Sequence, residues 1–146
     1  MISYDELIEE ALEARKMAYT PYSKFKVGAA LLTKDGKVYR GCNIENSSYT
    51  PTNCAERTAI FKAVSEGDYN FEAMAIVGGF EDQKELGLCA PCGVCRQVIR
   101  EFCSDDFKII LLNGQTDGKN TYDVYKLSEI LPLSFGPEDM KIKPRK

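Results

Sequence analysis

Clustered cysteines are the residues of this chain best suited to chemistry. Six cysteines occur, at positions 42, 54, 89, 92, 95 and 103, and histidine is absent. Without histidine, the chain cannot build Ser-His-Asp triads, Cys-His nucleophiles or histidine-ligated metal sites. Acid-base chemistry must then use a carboxylate, Lys, Tyr or Cys. A disulfide framework is not expected in a reducing compartment, so the crowded cysteines indicate metal binding or redox chemistry.

Three of these thiols can converge on one metal ion. Cys54 stands at the start of one predicted helix, and Cys92 and Cys95 stand at the start of another, each after a predicted strand. Helix N-termini lower the pKa of a thiol and favour the thiolate that a metal needs. Thiolate ligands without histidine favour zinc, and three protein ligands leave the fourth tetrahedral position for water. An open position is typical of a catalytic site.

Glu56 supplies a group for proton transfer. It lies two residues after Cys54, on the same first helical turn, so its carboxylate can reach that water without being a ligand itself. On its own, a glutamate on an exposed helical turn would be unremarkable. Its place beside the predicted metal ligands makes Glu56 the candidate acid and base.

Three other uses of the cysteines remain open. Cys92-Gly-Val-Cys95 is also the pattern of a dithiol oxidoreductase at a helix start, although that activity gives no role to Cys54 and Glu56. Cys89, Cys92 and Cys95 together have a spacing that iron–sulfur clusters use. Cys89 could instead complete a non-catalytic zinc site as the fourth ligand. The remaining cysteines, Cys42 and Cys103, are interpreted as small hydrophobic side chains in the core.

The elements that must position these residues follow from periodicity. Apolar residues at helical spacing predict a first helix over residues 4 to 19. Alternation from Phe25 to Leu31, followed by an Asp35-Gly36 turn, predicts a β-hairpin. A second helix starts at Cys54 and ends near Gly67, a residue type that commonly follows a helix.

The second half of the chain predicts a parallel pair of strands. Apolar runs at 73–77 and 107–112 suit buried strands, and the helix between them opens at Pro91 and runs to about Cys103. A strand, helix, strand order implies a right-handed crossover. With a last strand at 121–125 and a short final helix, the chain predicts a mixed sheet with helices on its faces.

Composition narrows the function further. The chain has 146 residues, 44% of them hydrophobic, which fits a single domain over residues 1–146 with a solvated C-terminal tail from about residue 137. With a net charge of −3, the protein would not attract polyanions such as DNA or RNA, so a small ligand is expected. An acidic start and the lack of a long apolar run predict a cytoplasmic protein that does not enter membranes.

Four blocks of sequence resemble the cytidine deaminases of nucleoside salvage, in their three-cysteine zinc form. The likeness runs from the first helix to about Phe135, and the blocks occur in the family's order. They are Lys24-Phe-Lys-Val-Gly-Ala-Ala-Leu31, Cys42-Asn-Ile-Glu-Asn46, Cys54-Ala-Glu-Arg-Thr-Ala59 and Pro91-Cys-Gly-Val-Cys-Arg-Gln97. The resemblance implies a three-layer α/β/α fold with a mixed five-stranded sheet, one Zn²⁺ per chain and a homotetramer.

The resemblance also implies a role for each matching position. It places the zinc ligands at Cys54, Cys92 and Cys95 and the catalytic acid-base at Glu56. The implied contacts with a nucleoside substrate are Phe25 for the base, the backbone N–H of Ala55 for the pyrimidine carbonyl, Asn43 and Glu45 for the sugar hydroxyls, and Phe135 for a neighbouring subunit's pocket. The implied reaction is hydrolytic deamination of cytidine or deoxycytidine. A deaminase of a cytosine nucleoside antibiotic, of the blasticidin type, is the alternative.

Charge around the metal predicts two further residues. Zinc at +2 with three thiolates leaves the site at −1, which opposes ionisation of water there. Arg57 and Arg96 each follow a predicted ligand closely, and we expect them to donate hydrogen bonds to ligand sulfurs and withdraw charge. Glu45 at the sugar would repel a phosphate group, so a free nucleoside is expected over a nucleotide.

Overall fold

A mixed five-stranded sheet forms the middle layer of the protein, in a computed structural model that describes residues 1–143. The strand order is β2-β1-β3-β4-β5, with β1 antiparallel to both β2 and β3, β3 parallel to β4, and β4 antiparallel to β5. The elements in chain order are α1 (Tyr4–Arg15), β1 (Phe25–Thr33), β2 (Val38–Cys42), α2 (Ala55–Ser65), β3 (Phe71–Phe80), α3 (Gly93–Phe102), β4 (Lys108–Thr116), β5 (Lys119–Lys126), α4 (Leu127–Ile130) and a 3₁₀ helix (Pro137–Met140).

Helices cover both faces of the sheet, which confirms the predicted three-layer α/β/α fold. Helix α1 packs on one face, where Leu7, Ile8 and Ala11 meet the even-numbered residues of β1. Helices α2 and α3 pack on the opposite face, where Ala59 and Ile99 meet the odd-numbered residues of β1. Because helices cover both sides of the sheet, β1 is buried on both faces and its middle residues are apolar throughout.

The first helix ends earlier than its periodicity predicts. Helix α1 stops at Arg15, and the N–H groups of Lys16, Met17 and Ala18 bond three residues back, as in a tight turn. The chain then runs beside the segment that follows β2: Tyr19 N–H donates to the Asn43 carbonyl at 3.0 Å, and Glu45 N–H donates to the Tyr19 carbonyl at 2.9 Å. Pairing with that segment thus replaces the last predicted turn of helix.

The remaining predicted elements are present with shifted ends. The hairpin turns at Asp35-Gly36, where Gly36 has a φ of 90° that favours glycine. The apolar run at 73–77 is the middle of a longer strand β3, and the predicted strand at 107–112 extends to Thr116 as β4. The parallel pairing of β3 with β4 confirms the predicted parallel pair of strands.

The C-terminal segment is partly structured. The 3₁₀ helix at Pro137–Met140 lies against α3, because Arg100 forms a salt bridge with Glu138. Part of the predicted tail is therefore folded onto the domain, and residues 144–146 lie outside the described residues. Among residues 1–143, every helix is too short or too polar to serve as a transmembrane segment.

Candidate active site

Strand direction brings two helix starts to the same end of the sheet. Strands β2 and β3 are both antiparallel to β1, so they run in the same direction although they do not touch. Helix α2 follows β2, helix α3 follows β3, and both helices pack on the same face of the sheet. Cys54 is the N-cap of α2 and Cys92 is the N-cap of α3. The two N-caps therefore face one another, although they lie far apart in sequence.

The three predicted ligands form one cluster of sulfur atoms. The Sγ atoms of Cys54, Cys92 and Cys95 all lie within 4.8 Å of one another, and Cys54 and Cys92 are 3.9 Å apart. Zinc–sulfur bonds of about 2.3 Å at tetrahedral angles would separate two sulfurs by about 3.8 Å. This donor set fits zinc. Within residues 1–143, the cluster does not include Cys89, so neither a fourth cysteine ligand nor the iron–sulfur alternative gains support.

Arg57 lies against this cluster. Its Nη2 donates a hydrogen bond to Cys54 Sγ at 3.2 Å. Hydrogen bonding from Cys95, followed by that from Arg57, lowers the pKa of Cys54 to about 5, which favours the thiolate. The pKa of Cys95 is raised, because its thiol proton is held by the sulfur of Cys54. Metal binding must release thiol protons. The hydrogen bonds from Cys95 and Arg57 therefore favour the thiolate form of Cys54 before a metal binds.

Arg96 has a different set of partners. Its Nε donates to the carbonyl of Pro91 at 2.8 Å and its Nη1 donates to the carbonyl of Ile130 at 2.6 Å. The side chain thus ties the first turn of α3 to the loop before it and to the end of α4. These bonds hold Cys92 and Cys95 in place through the backbone. The predicted hydrogen bond from Arg96 to a ligand sulfur stays a prediction.

Glu56 is buried beside the thiols. Only 4% of the residue is exposed, and it occupies the second position of α2. Burial, supported by the charge of Cys54, raises the pKa of Glu56 to about 7. A carboxyl group with a pKa near neutrality can both accept and donate a proton at physiological pH. This is the property that a single proton-shuttling residue needs.

Cys89 lies at the edge of the same region. A Cβ atom built on Gly78 would lie 2.6 Å from Cys89 Sγ and 3.1 Å from a methyl group of Val27, so glycine leaves the room that this thiol occupies. Burial, followed by the charges of Glu56 and Cys54, raises the pKa of Cys89 to about 11. Cys89 is therefore a neutral thiol beside the site. Cys42 and Cys103, predicted to be core residues, are half-buried.

The predicted base and sugar contacts lie on β1 and on the segment after β2. The side chain of Asn43 holds β1 in place: its Oδ1 accepts from Val27 N–H at 2.9 Å and its Nδ2 donates to the Phe25 carbonyl at 2.8 Å. Asn43 Nδ2 carries a second N–H group, which can serve a ligand. The ring of Phe25 packs edge-to-face against Phe80, with 5.1 Å between ring centroids.

Phe80 is the aromatic partner of Phe25, and sequence reasoning missed this contact. The apolar run that predicts this strand ends at residue 77. The residues next to Phe80 in the sequence do not identify it as a partner of Phe25. The register of β1 against β3, which pairs Phe25 with Phe80, is a tertiary property. Only a correct antiparallel alignment of the two strands could have revealed the contact.

Glu45 lies at the mouth of a second recess. Its carboxylate accepts from the N–H groups of Tyr22 and Ser23 at 2.9 and 3.1 Å and from the hydroxyl of Ser23. Although burial alone would raise the pKa of Glu45, hydrogen bonds from Ser23 and Tyr22 lower it overall. A cavity of about 410 Å³ lies here, lined by Tyr22, Ser23, Glu45, Asn46, Tyr49 and Thr52. An anionic, hydrogen-bonding rim of this kind suits hydroxyl groups.

Ala55 and Phe135 occupy contrasting positions. Ala55 is fully buried at the first position of α2, where backbone N–H groups have no partner within the helix. Phe135 is 62% exposed, and its carbonyl accepts a hydrogen bond from Gln97 Nε2 at 2.9 Å. The ring of Phe135 is therefore available to another surface.

Known proteins resemble this chain over most of its length. The sequence model for the cytidine and deoxycytidylate deaminase zinc-binding region matches residues 1–111. A cytidine deaminase of Sporosarcina psychrophila is 51% identical over 136 residues, 93% of each chain. The crystal structure of a cytidine deaminase from Burkholderia pseudomallei is similar with a TM-score of 0.80 and 46% identity, covering 92% of this chain and 100% of that one.

Fold, thiol cluster and buried glutamate together define a zinc-dependent deaminase. This chain belongs to the cytidine deaminase family. Its cofactor is Zn²⁺, for which the three-thiol cluster is suited. A blasticidin-S deaminase of Bacillus cereus is a more distant relative, 35% identical over 133 residues that cover 89% of this chain and 90% of the relative.

Proposed function

We propose that this protein deaminates cytidine, deoxycytidine or both by hydrolysis, releasing uridine or deoxyuridine and ammonia, as a step of pyrimidine salvage. The observation that carries the proposal is the position of Glu56, buried to 4% exposure and directly beside three converging thiols. That arrangement puts a buried carboxyl group suited to proton transfer next to a cluster of thiols suited to a metal. Family membership supplies the substrate class.

The chemistry divides between the metal and the protein. When bound by Cys54, Cys92 and Cys95, zinc supplies Lewis acidity that makes water a nucleophile near neutral pH. Glu56 accepts the proton released by the attacking water and delivers it to N3 of the pyrimidine. It then takes the remaining hydroxyl proton and passes it to the amino group at C4. The C4–N bond breaks, ammonia leaves, and the C4 carbonyl of uridine forms.

The substrate contacts follow from the same surfaces. In this proposal Phe25, whose ring packs against Phe80, contacts the pyrimidine, and the N–H of the buried residue Ala55 donates to its 2-carbonyl. Glu45 and Asn43 would hold the sugar hydroxyls, since both are anchored by backbone hydrogen bonds before any ligand arrives. Anchored polar groups lose little conformational freedom on binding, which favours specificity.

The charge of Glu45 favours an unphosphorylated substrate. Its lowered pKa keeps the carboxylate ionised at neutral pH. A phosphate at the 5′ position would place a second negative charge near this rim, which costs binding energy. We therefore propose the free nucleoside as substrate. A blasticidin-type antibiotic is the second candidate, and the lower identity of that relative makes it the weaker one.

We also propose that the active form is a homotetramer in the cytoplasm. Large apolar side chains are well exposed on one chain, among them Tyr49 at 78% and Phe135 at 62%. Such side chains commonly mark interfaces. Six free thiols, three of them suited to a metal, fit a reducing compartment. Light scattering on the zinc-loaded protein should give the mass of four chains; a stable monomer with full activity contradicts the tetramer.

The direct test is an assay with purified, zinc-loaded protein. Cytidine, deoxycytidine, cytidine monophosphate and blasticidin S are each added, and ultraviolet absorbance and ammonia release are followed. We expect turnover of one or both nucleosides, with the monophosphate much poorer. The Glu56→Gln variant is the control for contaminating activity. Turnover of blasticidin S alone would select the second candidate, and no turnover of any substrate at full zinc occupancy would contradict the proposal.

A further inference from the structure

An aromatic pair stands at the end of the sheet that carries the base contact. We propose that Phe80 is a positioning residue for the pyrimidine, which acts by fixing the orientation of the Phe25 ring. The inference rests on the proposed function, because it assigns to Phe25 the contact with the base. It goes further by making that contact depend on a residue from another strand.

The two rings are brought together by strand register. Phe25 on β1 pairs with Phe80 on β3 in the antiparallel ladder, so their side chains lie on the same face of the sheet. Val27 and Ile76, which share that face, pack with the core beneath α2 and α3. The aromatic pair is therefore on the face that carries the thiol cluster and Glu56.

The geometry of the pair is specific. The ring centroids are 5.1 Å apart and the planes meet at 88°, so the edge of one ring meets the face of the other. Edge-to-face contacts favour one mutual orientation over others. A ring held in this way cannot turn freely about its side-chain torsions. Phe25 thus presents a defined surface before substrate binds, which reduces the entropy lost on binding.

The backbone of Phe80 is fixed from two sides. Its N–H donates to Gln83 Oε1 at 3.1 Å, and its carbonyl accepts from Arg15 Nη2 at 3.1 Å. The same guanidinium donates to the carbonyls of Gly79 at 2.8 Å and Lys26 at 2.9 Å, so Arg15 joins the ends of β1 and β3. These bonds hold both partners of the aromatic pair in register.

The stability of the fold does not by itself explain why Phe80 is anchored in this way. Phe80 is 52% exposed, so its ring contributes only part of the burial free energy that a core phenylalanine would. Residues that serve stability are normally buried, whereas this ring is half exposed at the end of β3. The contact with Phe25 therefore offers a functional explanation for the position of the Phe80 ring.

The test is a double-mutant cycle on the zinc-loaded enzyme, with whichever of cytidine and deoxycytidine the wild type turns over faster. Phe80→Ala should raise KM by about two- to tenfold, the range expected for an edge-to-face pair, with kcat nearly unchanged. Phe80→Tyr, which keeps the ring, should restore a normal KM. In the Phe25→Ala background, the same Phe80→Ala change should have no further effect on KM, because its mediator is already absent.

Tyr122→Ala provides the matched control. It removes another edge-to-face pair, Tyr4 with Tyr122 at 6.5 Å and 79°, which belongs to the opposite face of the sheet. This variant should keep a normal KM. If Phe80→Ala does not fold, Phe80→Leu keeps the apolar bulk without the aromatic edge and should show the same KM increase.

Each failure is recognisable. A wild-type protein that deaminates neither cytidine nor deoxycytidine overturns the proposed function before any variant is made. An active wild type with an unchanged KM in Phe80→Ala overturns the positioning role. The same holds if Phe80→Ala raises KM equally with and without Phe25, or if Tyr122→Ala raises it as much.

Discussion

The guanidinium of Arg57 donates a hydrogen bond to the sulfur of Cys54 over 3.2 Å. A zinc ion with three thiolates carries a net charge of −1, and a donor to one sulfur draws some of that charge away. Because Arg57 occupies the third position of α2 and Cys54 its N-cap, the helix itself sets the distance between them. This makes Arg57 part of the metal site although it is not a ligand.

Replacing Arg57 by glutamine should weaken the site without unfolding the chain. We expect zinc affinity and turnover each to fall by about 10- to 100-fold, the usual cost of removing a hydrogen-bond donor to a metal ligand. Chelator competition and a nucleoside assay measure the two quantities. Arg40→Gln, which breaks an exposed salt bridge with Glu10, is the control. Normal zinc affinity and turnover in Arg57→Gln would show that the hydrogen bond is incidental.

Glu56→Gln should separate metal binding from catalysis. The amide keeps the shape of the side chain but cannot carry protons, so we expect full zinc content and a loss of turnover of at least about a hundredfold. Metal analysis and single-turnover assays test both statements. Glu72→Gln, an exposed change on β3, should leave activity intact. Near-normal turnover in Glu56→Gln would remove Glu56 from the mechanism.

The same carboxyl group should link stability to pH. Burial raises the pKa of Glu56 from an ordinary 4.5 to about 7 in the folded protein. The folded state then binds this proton more tightly than the unfolded state. Its stabilising effect is complete below the unfolded pKa and is lost as the pH rises through the folded pKa.

Comparison of wild type with Glu56→Gln isolates this effect. In chelator-treated protein, the variant should gain of the order of 3 kcal/mol in free energy of unfolding relative to wild type between about pH 4 and pH 8. Urea unfolding at a series of pH values measures the difference. A constant difference across that range would mean that Glu56 has an ordinary pKa in the folded protein.

Gly41→Ala should displace the helix that carries Cys54 and Glu56. A Cβ at Gly41 would lie 2.3 Å from the Ala55 carbonyl oxygen and 2.5 Å from the Ala59 nitrogen, both backbone atoms of α2. Since backbone cannot rotate away, α2 must move, and we expect a loss of roughly 1–3 kcal/mol of stability together with weaker zinc binding.

The control for this substitution is Gly87→Ala. An added Cβ at Gly87 meets no atom within 4 Å, so its stability and zinc affinity should stay close to those of wild type. Thermal unfolding with and without chelator compares the two variants. Identical behaviour would mean that the contact between β2 and α2 does not set the position of the thiols.

How much the sequence predicts depends on how local each feature is. The thiols and Glu56 could be identified because Cys54 and Glu56 share the first turn of one helix, and Cys92 and Cys95 share the first turn of another. Residue spacing on a helix fixes the geometry within each pair. A mixed sheet with helices on its faces was likewise predictable from periodicity, whereas its three layers and five strands came from the family resemblance. The early end of α1 was not, because Tyr19 leaves the helix to pair with Asn43 and Ile44, which are distant in sequence.

Contacts between distant segments were beyond reach for the same reason. The pairing of Phe25 with Phe80 follows from a strand register that no local pattern encodes. The bonds from Arg96 to the carbonyls of Pro91 and Ile130 were likewise not predictable, because Ile130 comes from a helix near the end of the chain. In each case the partner is chosen by tertiary packing.

The placement of Cys54 and Cys92 at the N-caps of two helices has a consequence for folding. An ion held by both would act as a cross-link that closes a long loop, because α2 and β3 lie between the two thiols in the chain. Cross-links that close long loops remove the most freedom from the unfolded chain. Bound zinc would then stabilise the folded chain as well as supply its chemistry, because the folded state holds the thiols together and binds the ion more tightly than the unfolded chain does.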